Sequence, residues 1–194
     1  MKGKSQKKRT AQEITLHGNL VDVFGIGVLI LGESGTGKSE CALDLVDRGH
    51  RLVADDVIRI RKEDRDVLIG EGDPSLGHHM EIRGLGIINV ADLYGVSAIR
   101  HRQRVELVVQ LEAWDAQKEY ERLGIDENSY PLLGHQVPMV TIPVTAGRNI
   151  AILIEVAARN HLLKLMGVNS ARDFSNRLTG RILQGSRNSG EGAG

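Results

Sequence analysis

Three groups of residues in this chain have types and spacings suited to phosphate chemistry. The first is Gly32-Glu33-Ser34-Gly35-Thr36-Gly37-Lys38-Ser39, which fits the pattern G-x-x-x-x-G-K-[ST]. Its glycines let the backbone turn sharply and approach an anion closely. Successive N–H groups then point inward, and a helix starting near Lys38 adds its positive end. In such a loop Lys38 reaches the β- and γ-phosphates of a nucleotide, and the Ser39 hydroxyl ligates the Mg²⁺ that bridges them. The second group is Asp55-Asp56. A carboxylate at the carboxyl end of a strand can hold a metal or take a proton from an attacking hydroxyl. Adjacent acids on an extended chain point to opposite sides, which gives the two different tasks. The third is Glu81-Ile82-Arg83-Gly84-Leu85-Gly86-Ile87-Ile88-Asn89. If extended, Glu81 and Arg83 share a face, and Gly84 and Gly86 mark a close backbone approach; a surface ion pair beside a bulge fits the same residues.

The elements that must position these groups are legible from periodicity. The glycine-rich loop carries its meaning only between a strand and a helix. Val28-Leu29-Ile30-Leu31 is an unbroken apolar run of buried-strand type. Glu40 to Arg48 reads as a helix with Ala42, Leu43, Leu45 and Val46 on one face and Gly49 past its end. Ile14–His17 and Leu20–Phe24 read as strands around a turn at Gly18-Asn19. Arg51–Ala54 is a short strand ending in the acidic pair. Ile58 and Ile60 alternate with Arg59 and Arg61, and a turn over Glu63–Asp66 leads into Val67–Ile69. Val105–Leu111 is a strongly apolar strand. Val137–Val144 is another, and its Pro138 and Pro143 put part of it at an edge. Two helices close the chain. One has Ile150, Leu153, Ile154, Ala157, Ala158, Leu162 and Leu165 on its apolar face and ends at Gly167. The other, Ala171 to Leu183, is capped by Asn169 or Ser170. The expected fold is α/β: a strand-rich mixed sheet around a Walker A helix, with two C-terminal helices.

Composition narrows the class. With 194 residues the chain can bury one sizeable core. Residues 13–185 read as one domain, residues 1–12 as a disordered basic tail, and residues 186–194 as a disordered Gly/Ser-rich tail. Basic and acidic residues balance at 25 each, and only 3% of residues are aromatic, so neither bulk nucleic-acid binding nor base stacking is indicated. The single cysteine, Cys41, forms no internal disulfide and reads as a packing residue. No apolar run is of membrane-spanning length and no secretory signal opens the chain, which favours a cytoplasmic protein. His78-His79, His50, His101, His135 and His161 read as ordinary exposed histidines, and Trp114 as a packing residue.

The combination is similar to the catalytic domain of the HPr kinase/phosphorylase family. The matching pieces are Leu16-His17-Gly18, the loop Gly32 to Ser39, Leu52–Asp56, Glu81–Ile87, Tyr120–Gly124 and Ile142–Asn149. The Glu-Ile-Arg-Gly-Leu-Gly segment is the most specific of these; the glycine-rich loop is shared with many other proteins. The resemblance implies phosphorylation of a serine in the carrier protein HPr with ATP or pyrophosphate. It also implies removal of that phosphate by inorganic phosphate, giving pyrophosphate, in control of the sugar phosphotransferase system. It makes Asp56 the proton acceptor in one direction and donor in the other, with Asp55 placing it or the metal. His17 lies by the phosphate site, Lys38 and Arg122 stabilise the transferring group, and Ser39 and Glu81 ligate Mg²⁺. Arg83, Gly84 and Gly86 serve both directions, and Pro143, Gly147 and Arg148 chiefly the dephosphorylation. Longer members carry a further domain ahead of this one, so a short form is expected here. Members assemble as hexamers, and the C-terminal helices, here with Arg172, Arg177 and Arg181, help bind HPr. Two rivals stay open: a P-loop kinase for a small metabolite, which should carry an arginine-rich lid, and a nucleotide-gated binding module, which has no need of Asp56 or His17.

Overall fold

The computed structural model describes residues 12–63, 67–121 and 128–188. Arg122 and the centre of the Glu63–Asp66 turn lie outside the described residues, as do most of both tails and the side chain of Arg181. The strands are β1 (Glu13–His17), β2 (Asn19–Val23), β3 (Ile26–Gly32), β4 (Arg51–Ala54), β5 (Val57–Glu63), β6 (Val67–Gly72), β7 (His79–Ile82), β8 (Gly86–Asn89), β9 (Arg102–Ala113), β10 (Ser129–Leu132) and β11 (His135–Val144). The helices are α1 (Lys38–Asp47), α2 (Val90–Tyr94), α3 (Ile150–Leu165) and α4 (Ser170–Asn188).

Among the described residues, nine strands form one sheet in the order β1-β5-β6-β9-β3-β2-β4, with β11 beside β9 and β10 beside β11; β7 and β8 form a separate hairpin. The sheet is mixed, as its sequence indicated. β3, β9 and β11 run parallel, and the other pairings are antiparallel. Pro143 sits where β11 pairs only with β9, so its missing N–H takes nothing from the ladder.

β3 is buried on both faces, which explains its continuous apolar run. Val28 and Ile30 pack with Cys41, Ala42, Leu45 and Val46 of α1, Ile154 and Ala158 of α3, and Met80 and Ile82 of β7. Leu29 and Leu31 face the other way, against Ile58, Ile60, Leu68, Val108, Leu132 and Val137. Both expected glycine stops hold. Gly49 has φ 93°, its N–H bonds to the Val46 carbonyl at 2.9 Å, and that of His50 bonds to Leu45 at 3.0 Å. Gly167 ends α3 the same way, with φ 86° and bonds to Lys164 and, from Val168, to Leu163. This double bond ends a helix cheaply only with glycine, because the residue is left-handed. Asn169 is the cap of α4, accepting from the Arg172 N–H at 3.1 Å.

Some elements were not expected. The short strand β10, which turns the expected β11 into a hairpin, and the single-turn α2 carry too few residues for a periodic signal. Glu81 and Arg83 do not share an extended face: β7 ends at Ile82 and Arg83 opens the turn into β8. His50 is not exposed but buried, its Nε2 2.9 Å from Glu155 of α3. Trp114 stays half exposed, stacked on Tyr120 with ring centroids 4.8 Å apart.

Candidate functional site

Because β2 runs antiparallel to both β3 and β4, its first residue lies beside their carboxyl ends. Asn19 is opposite Ile30, and Leu20 is opposite Ala54. The loop after β3, the acidic pair after β4 and the β1–β2 connection therefore meet at one pole of the sheet.

The loop is held by its own side chains. Thr36 Oγ1 donates to the Glu33 carbonyl at 2.8 Å, and Gly35 and Gly37 take left-handed φ values of 82° and 84°. Gly32 is required by space, since a Cβ there would sit 2.6 Å from the Leu111 carbonyl oxygen. Gly37 is the N-cap of α1 and no side chain caps that helix. Its first N–H groups thus remain available to an anion, at the positive end of the helix dipole. Lys38 Nζ donates to the carbonyls of Gly32 and Glu33, each at 3.0 Å. Reaching a phosphate means exchanging those two bonds. Ser34 lies on the exposed crest of the loop.

The acidic pair divides as expected, for a different reason. The chain at Asp55-Asp56 is not extended. Val57 N–H bonds to the Asp55 carbonyl at 2.8 Å, closing a three-residue turn around Asp56, whose φ is 62°. Asp55 turns inward: its Oδ1 accepts from Ser39 Oγ at 2.9 Å and from Asn19 Nδ2, and its carboxylate also accepts the backbone N–H of Glu81. Burial raises the Asp55 pKa; the bonds from Ser39, Asn19 and Glu81 oppose that rise, and the charge of Asp56 adds to it. Asp56 turns outward beside His17, with His17 Nδ1 3.5 Å from its Oδ1 and both side chains largely exposed. A pair so open to water contributes little to stability, which leaves both groups free for an incoming reactant.

Gly18 ties the two halves together. Its N–H donates to the Asp56 carbonyl at 3.0 Å, and a Cβ there would lie 2.6 Å from the Ile30 carbonyl oxygen. Only glycine lets the β1–β2 connection cross the end of β3 and hold the Asp56 turn.

The third group closes over the loop. Gly84 and Gly86, with φ 88° and 90°, form the β7–β8 turn. Arg83 Nη2 lies 3.8 Å from the position a Cβ on Gly35 would take. Glu81 reaches the centre through its backbone; its exposed side chain lies on β7. On the other flank, a cleft of about 410 Å³ is lined by Thr36, Gly37, Glu40, Gly147, Arg148 and Asn149 among others. The N-termini of α1 and α3 both open there. Arg148 is steadied by donating from Nη1 to the Pro143 carbonyl at 3.0 Å, and Asn149 caps α3 through the Ile152 N–H.

The donor set suits a hard cation. Among the described residues no three His, Cys, Asp or Glu side chains gather as a metal cage. Instead the hydroxyl of Ser39 and the carboxylate of Asp55 lie together, beside Asn19, whose Oδ1 is buried without a partner. Mg²⁺ takes oxygens, keeps several waters and uses one or two protein ligands plus substrate phosphates, and these residues fit that demand. Sequence reasoning missed Asn19, which reads as a turn residue after Gly18. Only the pairing of β2 between β3 and β4 buries it.

These features define the class: an α/β protein with a glycine-rich strand-to-helix loop after β3 and a carboxylate pair after β4, brought to one pole of the sheet by the β2 that runs between them. The family is narrower. The model of the HPr Serine kinase C-terminal domain matches residues 8–178, and the chain belongs to that family. It is 56% identical over 167 residues to an HPr kinase/phosphorylase of Geobacter sulfurreducens, covering 86% of this chain and 52% of that protein. It is 52% identical over 181 residues to an HPr kinase/phosphorylase of Geobacillus thermodenitrificans, covering 93% and 59%. The chain thus spans little more than half the length of these curated relatives. The solved structure of the Hpr(Ser) kinase/phosphatase from Coxiella burnetii superposes with a TM-score of 0.73 at 37% identity, over 83% of this chain and 98% of that one.

Proposed function

We propose that this chain transfers a phosphoryl group to a serine of the carrier protein HPr and removes it again by phosphorolysis. The observation that carries the reading is the convergence of His17, Ser39, Asp55 and Asp56 at the mouth of the Gly32–Ser39 loop.

In the forward direction the loop N–H groups and Lys38 hold the β- and γ-phosphates of ATP. Pyrophosphate can take the same place as donor. The exposed Asp56 accepts the proton of the serine hydroxyl, whose oxygen attacks the γ-phosphorus. The bond to the β-phosphate oxygen breaks and ADP leaves. In reverse, inorganic phosphate occupies the loop and one of its oxygens attacks the phosphoserine phosphorus. Asp56 returns its proton to the departing serine oxygen, and pyrophosphate forms. One site runs both ways because phosphoryl transfer rests on positioning and charge neutralisation rather than on a covalent intermediate, and an acid that accepts a proton forward donates it in reverse. Mg²⁺ when bound neutralises charge on the phosphates; Ser39, Asp55 and Glu81 are the residues proposed to hold it. Arg83 and Arg148 flank the loop and neutralise charge on the substrate phosphates, and Arg122 is assigned the same task by family resemblance. The family reading also carries a homo-hexameric assembly in the cytoplasm. No helix among the described residues is long and apolar enough to cross a membrane.

The test is to incubate the protein with HPr, ATP and Mg²⁺, follow phosphoserine by mass spectrometry, and then add inorganic phosphate. Phosphoserine should form and then disappear with release of pyrophosphate. Absence of phosphoserine refutes the reading; phosphoserine that phosphate cannot remove refutes its second half.

A further inference from the structure

Asn19 is 1% exposed, a polar side chain in the wall of the core. It is held rigidly, because its backbone pairs with Ile30 of β3. Its amide Nδ2 donates to Asp55 Oδ1, the same oxygen that accepts from Ser39 Oγ. Its other amide atom, Oδ1, is buried and makes no hydrogen bond. An enclosed acceptor without a donor costs stability, and an apolar residue in its place would carry no such penalty. The amide is therefore poorly explained as packing. It is well explained if a donor arrives with a ligand.

We propose that Asn19 is a positioning residue for the divalent cation: it orients the Asp55 carboxylate through Nδ2 and accepts, through Oδ1, a hydrogen bond from a water of the cation's shell. The inference rests on the reading of Ser39 and Asp55 as cation ligands. The chemistry matches on both sides. Mg²⁺ gives up its waters reluctantly, so a protein site for it must offer acceptors to bound water as well as direct ligands. The partners that orient a metal's ligands set its affinity nearly as strongly as the ligands do. Asn19 supplies both functions from one strand position, bonded directly to Asp55 and through that shared oxygen to Ser39.

The test uses Mn²⁺ as a spectroscopic stand-in, titrated into the full chain in the presence of inorganic phosphate, with free Mn²⁺ counted by electron paramagnetic resonance. Asn19→Leu should weaken Mn²⁺ binding roughly 10- to 100-fold, the usual effect of losing such an orienting partner. Asn19→Asp should do the reverse. It places a second carboxylate against Asp55, so it should bind Mn²⁺ more tightly while melting at a lower temperature without metal. A purely structural role would move metal affinity and melting temperature together in both variants. Wild-type and Asn19→Leu proteins that bind Mn²⁺ equally would overturn this inference and leave the cation site standing. A wild-type protein that binds no Mn²⁺ would overturn both.

Discussion

Asp56 is held in a left-handed turn, and two substitutions can measure what that costs. Asp56→Ala and Asp56→Gly both delete the carboxylate and both lose the exposed contact to His17, so these effects cancel between them. What differs is the backbone. At an ordinary position glycine is less stable than alanine by roughly 0.5–1 kcal/mol, because its unfolded chain has more freedom. At φ 62° the order changes, since a left-handed conformation costs an L-residue about 1–2 kcal/mol and glycine almost nothing. At the midpoints of the two ranges Asp56→Gly is more stable than Asp56→Ala by roughly 0.75 kcal/mol, a gap of about 1.5–3 °C in Tm for a domain of this size. Differential scanning calorimetry of the two variants reads it directly. Neither should phosphorylate HPr, while both should bind nucleotide as the wild type does. An alanine variant at least as stable as the glycine variant would refute the turn geometry, and phosphoryl transfer by either would refute Asp56 as the base. Strain of this kind persists only where the surrounding structure holds it, and it clusters at functional sites; here the bonds from the Gly18 N–H to the Asp56 carbonyl and from the Val57 N–H to the Asp55 carbonyl hold the turn.

Three further predictions follow from the same geometry. Gly32→Ala puts a methyl 2.6 Å from a backbone carbonyl that cannot swing aside; it should cost about 1–3 kcal/mol in urea unfolding and weaken binding of a non-hydrolysable ATP analogue, and unchanged binding would remove the loop from the site. For Asp55, burial raises the pKa above its ordinary 3.8, so the folded protein holds a proton that the unfolded chain releases, and this group lowers stability as pH rises above 3.8. Asp55→Asn should therefore be most favoured relative to wild type near neutral pH, with the Tm difference closing as pH falls toward 3.8; a difference independent of pH would contradict this. The Cys41 thiol is pushed up to about 12, by burial first and by Asp44 next, so a thiol reagent at mildly alkaline pH should leave it unmodified until the protein is unfolded.

Much of the fold was legible because it rests on local rules. β3 reads as buried from its apolar run, α1 and α3 from their apolar faces, and their ends from Gly49 and Gly167, whose left-handed conformation is a property of the residue itself. The mixed sheet and the edge position of Pro143 followed from the same kind of reading. The four-residue β10 and the single-turn α2 did not, because short elements are specified by the partners they pack against. His50 illustrates the limit well: nothing local distinguishes it from an exposed histidine, and only α3 folding back over the end of α1 brings Glu155 to it.

For the site, the sequence by itself determined the chemistry: a loop able to wrap an anion, a hydroxyl at its end, two carboxylates and the hairpin with Arg83. These are matters of residue type and of spacing along a few bonds. Tertiary structure decided which groups meet and what each can do. It set Asp55 inward against Ser39 and Asp56 outward beside His17, through a tight turn rather than the alternation of a strand. It also brought in Asn19, whose contact with Asp55 spans 36 residues. The physical reason is the antiparallel course of β2 between β3 and β4: strand pairing, not sequence proximity, carries distant residues to one pole of a sheet, and burial there gives an ordinary asparagine an unpaired acceptor.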